Sequence, residues 1–343
     1  MAYISGGQLY LQHEDGERIV ESPFGRSLRD RAGQIYRRNA WKVQGRGGQS
    51  LARALRMPAE PDPSLFRLAI TSVTRGSAPG ELLYTLETDD VSGVFARDAD
   101  GVEKRLFHTA DFRACHLDLR PGGSEVALSI DHGKGLADLA VMNVDGSGLT
   151  EITEGESLDE APRWVPGERR RLIYQSAGIA RDRRGVFAGN GPYSIQEIDL
   201  ESRDVSCLAQ DPAYDFEQPR VGADGMLYYI RKSRENPPGQ KTAPGILGMI
   251  RLFWMMRAAR RSEGGPPLPE KQFRPPSSWQ LMRQEPTAGA QAESLAHGVA
   301  SFDLAEGGSI IYSDGANVFT MPGNGGHAEK VLSGFNIDVL AAL

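Results

Sequence analysis

The stretch Val141-Met-Asn-Val-Asp-Gly-Ser-Gly-Leu-Thr-Glu-Ile-Thr153, followed by Asp159-Glu-Ala-Pro-Arg-Trp-Val-Pro-Gly-Glu-Arg-Arg-Arg-Leu-Ile-Tyr174, decides the fold. A short apolar run leads through an Asp-Gly-Ser-Gly turn to a second run. A third run then enters, turns at Pro-Gly and returns. Short runs bounded by Gly, Pro, Asn and Asp are the pattern of short antiparallel strands. The same order of events recurs in His116-Leu-Asp-Leu-Arg-Pro-Gly-Gly-Ser-Glu-Val-Ala-Leu-Ser129, in Pro219-Arg-Val-Gly-Ala-Asp-Gly-Met-Leu-Tyr-Tyr-Ile230 and in Ser301-Phe-Asp-Leu-Ala-Glu-Gly-Gly-Ser-Ile-Ile-Tyr-Ser313. Further strand-like runs lie at 8–13, 82–87, 139–144 and 317–321. Four strands repeated at a spacing of about 40–55 residues bury both faces of each sheet only when neighbouring sheets cover them, as in a β-propeller.

The quoted residues resemble the TolB-type β-propeller repeat, whose pattern is an "n-dG-s…LT" turn followed by "d…P-W-S-P-D-G-k-k-I-a-F". The S-P-D-G turn of that pattern reads Val165-Pro-Gly-Glu168 here, and Arg120-Pro-Gly-Gly123 and Gly222-Ala-Asp-Gly225 in neighbouring units. The resemblance covers roughly residues 65–340. It implies a fold and no particular activity, because the family mixes scaffolds, receptors and accessory domains of enzymes. Units fall at 65–109, 110–156, 157–213, 214–299 and 300–334, leaving three strands at the N-terminus and one at 336–343. The expectation is an all-β, six-bladed propeller, a single domain over 1–343, closed by pairing of its N- and C-terminal strands. Closure removes exposed sheet edges.

Two stretches interrupt the strands. Residues 22–64 contain a helical pattern over 27–41, with Ser27 as its N-cap, and residues 231–285 contain an apolar helix over 245–261. In a propeller both connections emerge on one face, as does the long loop 177–193. The first insertion carries nine Lys/Arg against three Asp/Glu and the second eleven against four, so a net charge of −6 divides into +13 on the insertions and −19 elsewhere. That division points to basic arms on an acidic ring.

The chain of 343 residues is 40% hydrophobic, enough for a large core, and reads as a soluble globular protein. Its two cysteines, Cys115 and Cys207, stand far apart and outside any C-x-x-C pair, which excludes a disulfide scaffold and cysteine-rich zinc modules. A reducing, cytoplasmic location is expected, since the N-terminal stretch lacks the basic-then-apolar order of a secretory signal. No run of about 18 apolar residues exists to span a membrane. There is no G-x-S-x-G elbow and no phosphate loop, and the six histidines show no metal-ligand spacing.

The reading that follows is a non-catalytic scaffold without cofactor or metal. Its partner is another protein with an acidic and apolar docking surface. Ile250, Phe253, Trp254 and Met255 are the expected apolar anchors, with Arg257, Arg260, Arg261, Arg37 and Arg38 as the charged surround and Trp41 beside them. Two alternatives stand behind it. One is a metal-dependent hydrolase or lactonase using carboxylates at a central channel, with Asp111, Asp159, Glu160, Asp215 and Glu217 as candidates. The other is an adaptor for nucleic acid or an anionic membrane surface, through the basic arms.

Overall fold

A computed structural model describes all residues except 14–15, 45–67, 89–90, 134, 235–272, 306, 335 and 343. Among the described residues the chain is all-β apart from one helix. The first sheet has the order β25 (Ile337–Ala341), β1 (Ala2–Ser5), β2 (Gln8–His13) and β3 (Gly16–Val20), so the last strand pairs with the first, Tyr3 opposite Leu340. The helix α1 (Pro23–Gln44) follows. The second sheet runs β4 (Leu68–Arg75), β5 (Leu82–Thr88), β6 (Ser92–Arg97), β7 (Glu103–Thr109).

The third group is β8 (Arg113–Leu119), β9 (Glu125–Gly133), β10 (Leu136–Asn143) and the two-residue β11 (Thr150–Glu151). The fourth is β12 (Ser157–Trp164), β13 (Arg171–Arg181), β15 (Ser194–Asp199) and β16 (Val205–Ala209), with β14 (Phe187–Asn190) paired beside β13. One parallel bridge, Ala137 to Leu158, joins these two groups into a nine-stranded sheet. The fifth comprises β17 (Tyr214–Val221), β18 (Leu227–Ser233), β19 (Gln280–Gln284) and β20 (Glu293–His297). The sixth comprises β21 (Ser301–Leu304), β22 (Ser309–Ser313), β23 (Asn317–Pro322) and β24 (Glu329–Ser333).

Strand periodicity explains how these groups hold together. Successive side chains of a strand point to opposite faces. In β5, Leu82, Tyr84 and Leu86 enter a cluster with Ile4 and Leu9 of the first sheet, whereas Leu83 enters one with Leu117 and Leu128 of the third. In β18, Leu227 and Tyr229 face the fourth group beside Ile173 and Ile195, and Tyr228 and Ile230 face the sixth beside Phe302 and Ile310. Leu139 and Val141 meet Trp164 and Leu172 between the third and fourth groups, and Tyr3 and Leu340 meet Val318 between the sixth and first. Each fully buried aliphatic side chain contributes about 1.5–3 kcal/mol.

Serine and glutamine side chains add a second layer of sheet-to-sheet bonding. The register skips at the middle of β8, β12 and β17, where His116, Ala161 and Gln218 adopt positive φ of 54°, 52° and 54°. Backbone N–H groups at or beside these bulges donate to the preceding sheet: Leu117 to Ser72 Oγ (2.8 Å), Ala161 to Ser129 Oγ (3.1 Å) and Gln218 to Gln175 Oε1 (2.9 Å). Ser72, Ser129 and Gln175 are buried, so each satisfies an amide that has no ladder partner.

The sequence placed the helix start at Ser27; the structure places it four residues earlier. Ser22 caps α1, its Oγ accepting from the Gly25 N–H (3.0 Å) and its carbonyl from the Arg26 N–H (2.9 Å). Ser27 instead donates to the Phe24 carbonyl from inside the first turn (2.8 Å). That turn is anchored. The Phe24 ring lies 5.1 Å from Phe95 with the Arg105 guanidinium 5.3 Å from its centre, and its N–H donates to Glu103 Oε1 (2.9 Å).

Candidate functional site

The first strands of the groups, β4, β8, β12, β17, β21 and β25, converge on one axis. Residues at the C-terminal ends of five of them, with Ala342 after β25, line a cavity of about 340 Å³. Into it the sequence places Arg75, Asp118, Arg163, Arg220 and Asp303. Arg220 Nε lies 2.7 Å from Asp303 Oδ1 and Arg163 Nη1 lies 3.3 Å from Asp118 Oδ1. The Trp164 N–H donates to Asp118 Oδ2 (2.8 Å), and the Ala342 N–H to Asp303 Oδ2 (2.8 Å).

Burial pushes the Asp118 carboxyl up to about 7, against the pull of Arg220 and the Trp164 N–H. Burial, reinforced by Arg220, holds the His116 imidazole down to about 4. The cavity is thus lined by side chains that pair with one another, Arg220 with Asp303 and Arg163 with Asp118. A groove of about 820 Å³ opens beside the cavity, between Met1, His13 and the turns 76–82 and 119–123.

At the opposite, N-terminal ends of the same strands lie the acids nominated for a channel metal, and the structure separates them. Glu160, Asp215 and Glu217 gather around Tyr193: its hydroxyl donates to Glu160 Oε2 and its N–H to Asp215 Oδ1 (2.8 and 2.9 Å). Asp215 pairs with Arg234 and Glu217 with Lys232, each at 2.6 Å. Burial first, then these three carboxylates, push the Tyr193 hydroxyl well above the usual phenol range. Asp159 is turned away to Ser176, whose hydroxyl donates to it at 2.6 Å. Asp111 sits in an exposed turn and accepts from Thr109 (3.1 Å).

The same pairs correct the charge division. Arg231 and Lys232 belong to β18 and Arg283 to β19, and with Arg234 they are engaged on the sheets: Arg283 with Asp224 at 3.2 Å, and Arg231 4.8 Å from the Tyr214 ring centre. Residues 235–272 hold six Lys/Arg against three Asp/Glu, and Arg274 and Glu285 make up the rest of the 231–285 stretch. Ile250, Phe253, Trp254, Met255, Arg257, Arg260 and Arg261 lie outside the described residues. Arg37, Arg38 and Trp41 are carried on α1. Earlier in that helix, Arg29 and Arg31 are exposed.

Both cysteines are unpaired, and burial pushes both thiols up, away from the thiolate that nucleophilic catalysis needs. One cluster that the sequence did not single out is present. His132, Asp138 and Glu151 bring their ligand atoms within 4.8 Å of one another. Their spacing of six and thirteen residues matches no short motif, and only the β9–β10–β11 pairing unites them.

Comparison with solved structures places this geometry. TolB from Acinetobacter baumannii is similar over 97% of this chain, with a TM-score of 0.54 and 12% identity, and this chain spans 64% of that one. A nidogen/laminin complex is similar over 99% of this chain and 96% of that chain, with a TM-score of 0.59 and 8% identity. The fold is a TolB-like β-propeller. At these identities the likeness is one of fold. No family model and no curated protein matches the chain.

Proposed function

We propose that the six four-stranded groups are the blades of one ring over residues 1–343, and that this propeller is a cytoplasmic, non-catalytic scaffold. Six apolar clusters running sheet to sheet, the last linking sixth to first, support the ring, as does the β25–β1 pairing. In this reading α1 and residues 235–272 meet an acidic, partly apolar surface of another protein. The observation that carries it is α1 itself. Its first turn is fixed to the second sheet through Phe24 and Glu103, while Arg29 and Arg31 reach solvent. A helix held at one end and carrying exposed arginines suits docking onto an acidic partner. The internal pairing of Asp215, Glu217, Asp118 and Asp303 supports a structural role for the axial charges. One of the similar structures is itself a complex between proteins.

The test compares the tagged full chain with R29E/R31E/R37E/R38E in partner recovery from its native cells. Loss of one specific protein from the variant, with melting temperature unchanged, is the expected result. Equal recovery from both overturns the reading.

A further inference from the structure

The sheet register places His132, Asp138 and Glu151 together by construction. Asp138 stands two residues before Ala140 in β10, and Ala140 is opposite Glu151 in β11, so the two carboxylates share one face. His132 is the residue that the β9–β10 register skips, Gly133 pairing with Leu136 and Asp131 with Ala137. Such a bulge re-aims a side chain. Here it turns the imidazole so that Nε2 lies 3.2 Å from Asp138 Oδ2. Two ligands held at about 2.1 Å from a tetrahedral metal ion are themselves about 3.4 Å apart, so this separation matches a shared ion.

Among the described residues the charge at the cluster is met by His132 and by hydroxyls, with no Lys or Arg beside it. Asp138 is only 7% exposed and Asp159, 6% exposed, lies close enough to act on it electrostatically together with Glu151. Among the described residues no Lys or Arg forms an ion pair with Asp138, Glu151 or Asp159, although every other nominated acid near the axis except the exposed Asp111 has a cation or a tyrosine hydroxyl. Thr153 completes the surroundings, its hydroxyl 3.5 Å from Asp138 Oδ1 and accepting from the Leu139 N–H (2.9 Å). Two acids beside one imidazole can hold a cation, and an imidazole among the donors favours a borderline first-row ion over Ca²⁺ or Mg²⁺. Glu151 is exposed and free to close the remaining distance.

We propose that His132, Asp138 and Glu151 form a Zn²⁺-class divalent metal site that leaves one coordination position to water. The ion ties the two-residue strand β11 to β9 and β10, beside the bridge that joins the third and fourth groups. This site is independent of the docking reading: a structural ion serves a scaffold as well as any other role.

The experiment uses the full chain stripped of metal by chelation and titrated calorimetrically with ZnCl₂, alongside His132→Ala, Glu151→Gln and the remote control His327→Ala. Glu151 and His132 are exposed, so both variants are expected to keep the wild-type circular dichroism spectrum. The expected result is one ion per chain, an affinity lowered at least tenfold in His132→Ala and in Glu151→Gln, and no change in the control. A Co²⁺-loaded wild type should show a four-coordinate d–d spectrum that His132→Ala loses. Absence of stoichiometric binding, or a drop of less than tenfold in either variant, overturns the site and leaves a plain His132–Asp138 ion pair. Mg²⁺ competing as strongly as Zn²⁺ overturns the assignment of metal class.

Discussion

At the C-terminal ends of the inner strands, Arg220 faces Asp303 and Arg163 faces Asp118; where β9, β10 and β11 meet, Asp138 and Glu151 stand beside His132 and, among the described residues, no Lys or Arg. In the first region the charges are largely buried, where an unpaired ion costs several kcal/mol, and in the second Asp138 is buried beside the exposed His132 and Glu151. The first resolves that cost within the chain. The second leaves a demand for positive charge. The contrast teaches that charge on this fold is handled in two ways: paired inside the chain at the cavity, and left beside one imidazole at the His132 cluster.

The largest expected effect breaks the neutralised end. Arg220→Met strands Asp303 and adds to the burden on Asp118, and should cost about 3 kcal/mol in urea unfolding, most of it recovered in Arg220→Met/Asp303→Leu. A single variant as stable as wild type would show that these charges are solvated and not structural.

Titration gives the next effect. His116, held down to about 4, is neutral in the fold while its unfolded counterpart takes a proton below about 6.5, so its contribution to stability rises with pH between these values. Asp118, pushed up to about 7, is protonated in the fold while the unfolded carboxyl ionises above about 4, so its contribution falls with pH over nearly the same window. The two slopes oppose each other in the wild type. His116→Gln should leave stability falling by about 2 kcal/mol from pH 4 to 7, and Asp118→Asn should leave it rising by a similar amount from pH 4 to 6.5. Parallel pH profiles for the two variants would contradict the assignment.

Ser129→Ala comes third. It leaves the Ala161 N–H without its acceptor and should cost about 1–2 kcal/mol by thermal or chemical unfolding. The smallest global effect belongs to the helix anchor. Phe24→Ala should change the melting temperature little yet speed limited proteolysis within residues 23–44, because it removes the contact with Phe95.

Much of the fold was legible because strand alternation and turn chemistry are local. The runs at 8–13, 82–87 and 317–321 all lie in strands, and the charges at the axis stood in the aligned repeats as Asp118, Arg163, Arg220 and Asp303, each near the end of an inner strand. Their role was missed because pairing crosses from one repeat to another, as Arg220 to Asp303, and no single repeat shows it. Ser72, Ser129 and Gln175 escaped notice for the same reason: a buried serine is recognisable only once the bulged amide it serves is known. The basic arm of 231–285 was overcounted because Arg231, Lys232 and Arg283 read as insertion in sequence but lie in strands. His132, Asp138 and Glu151 depend on a bulge, and bulges leave little trace in composition.

The most direct test of the scaffold places a photo-activatable cross-linker at Arg29 of α1 in one full-length chain and at Gly122, in a turn lining the 820 Å³ groove, in another. Irradiated in its native cells, the Arg29 chain should yield one dominant protein adduct and the Gly122 chain none. A dominant adduct from Gly122 with none from Arg29 would contradict the account.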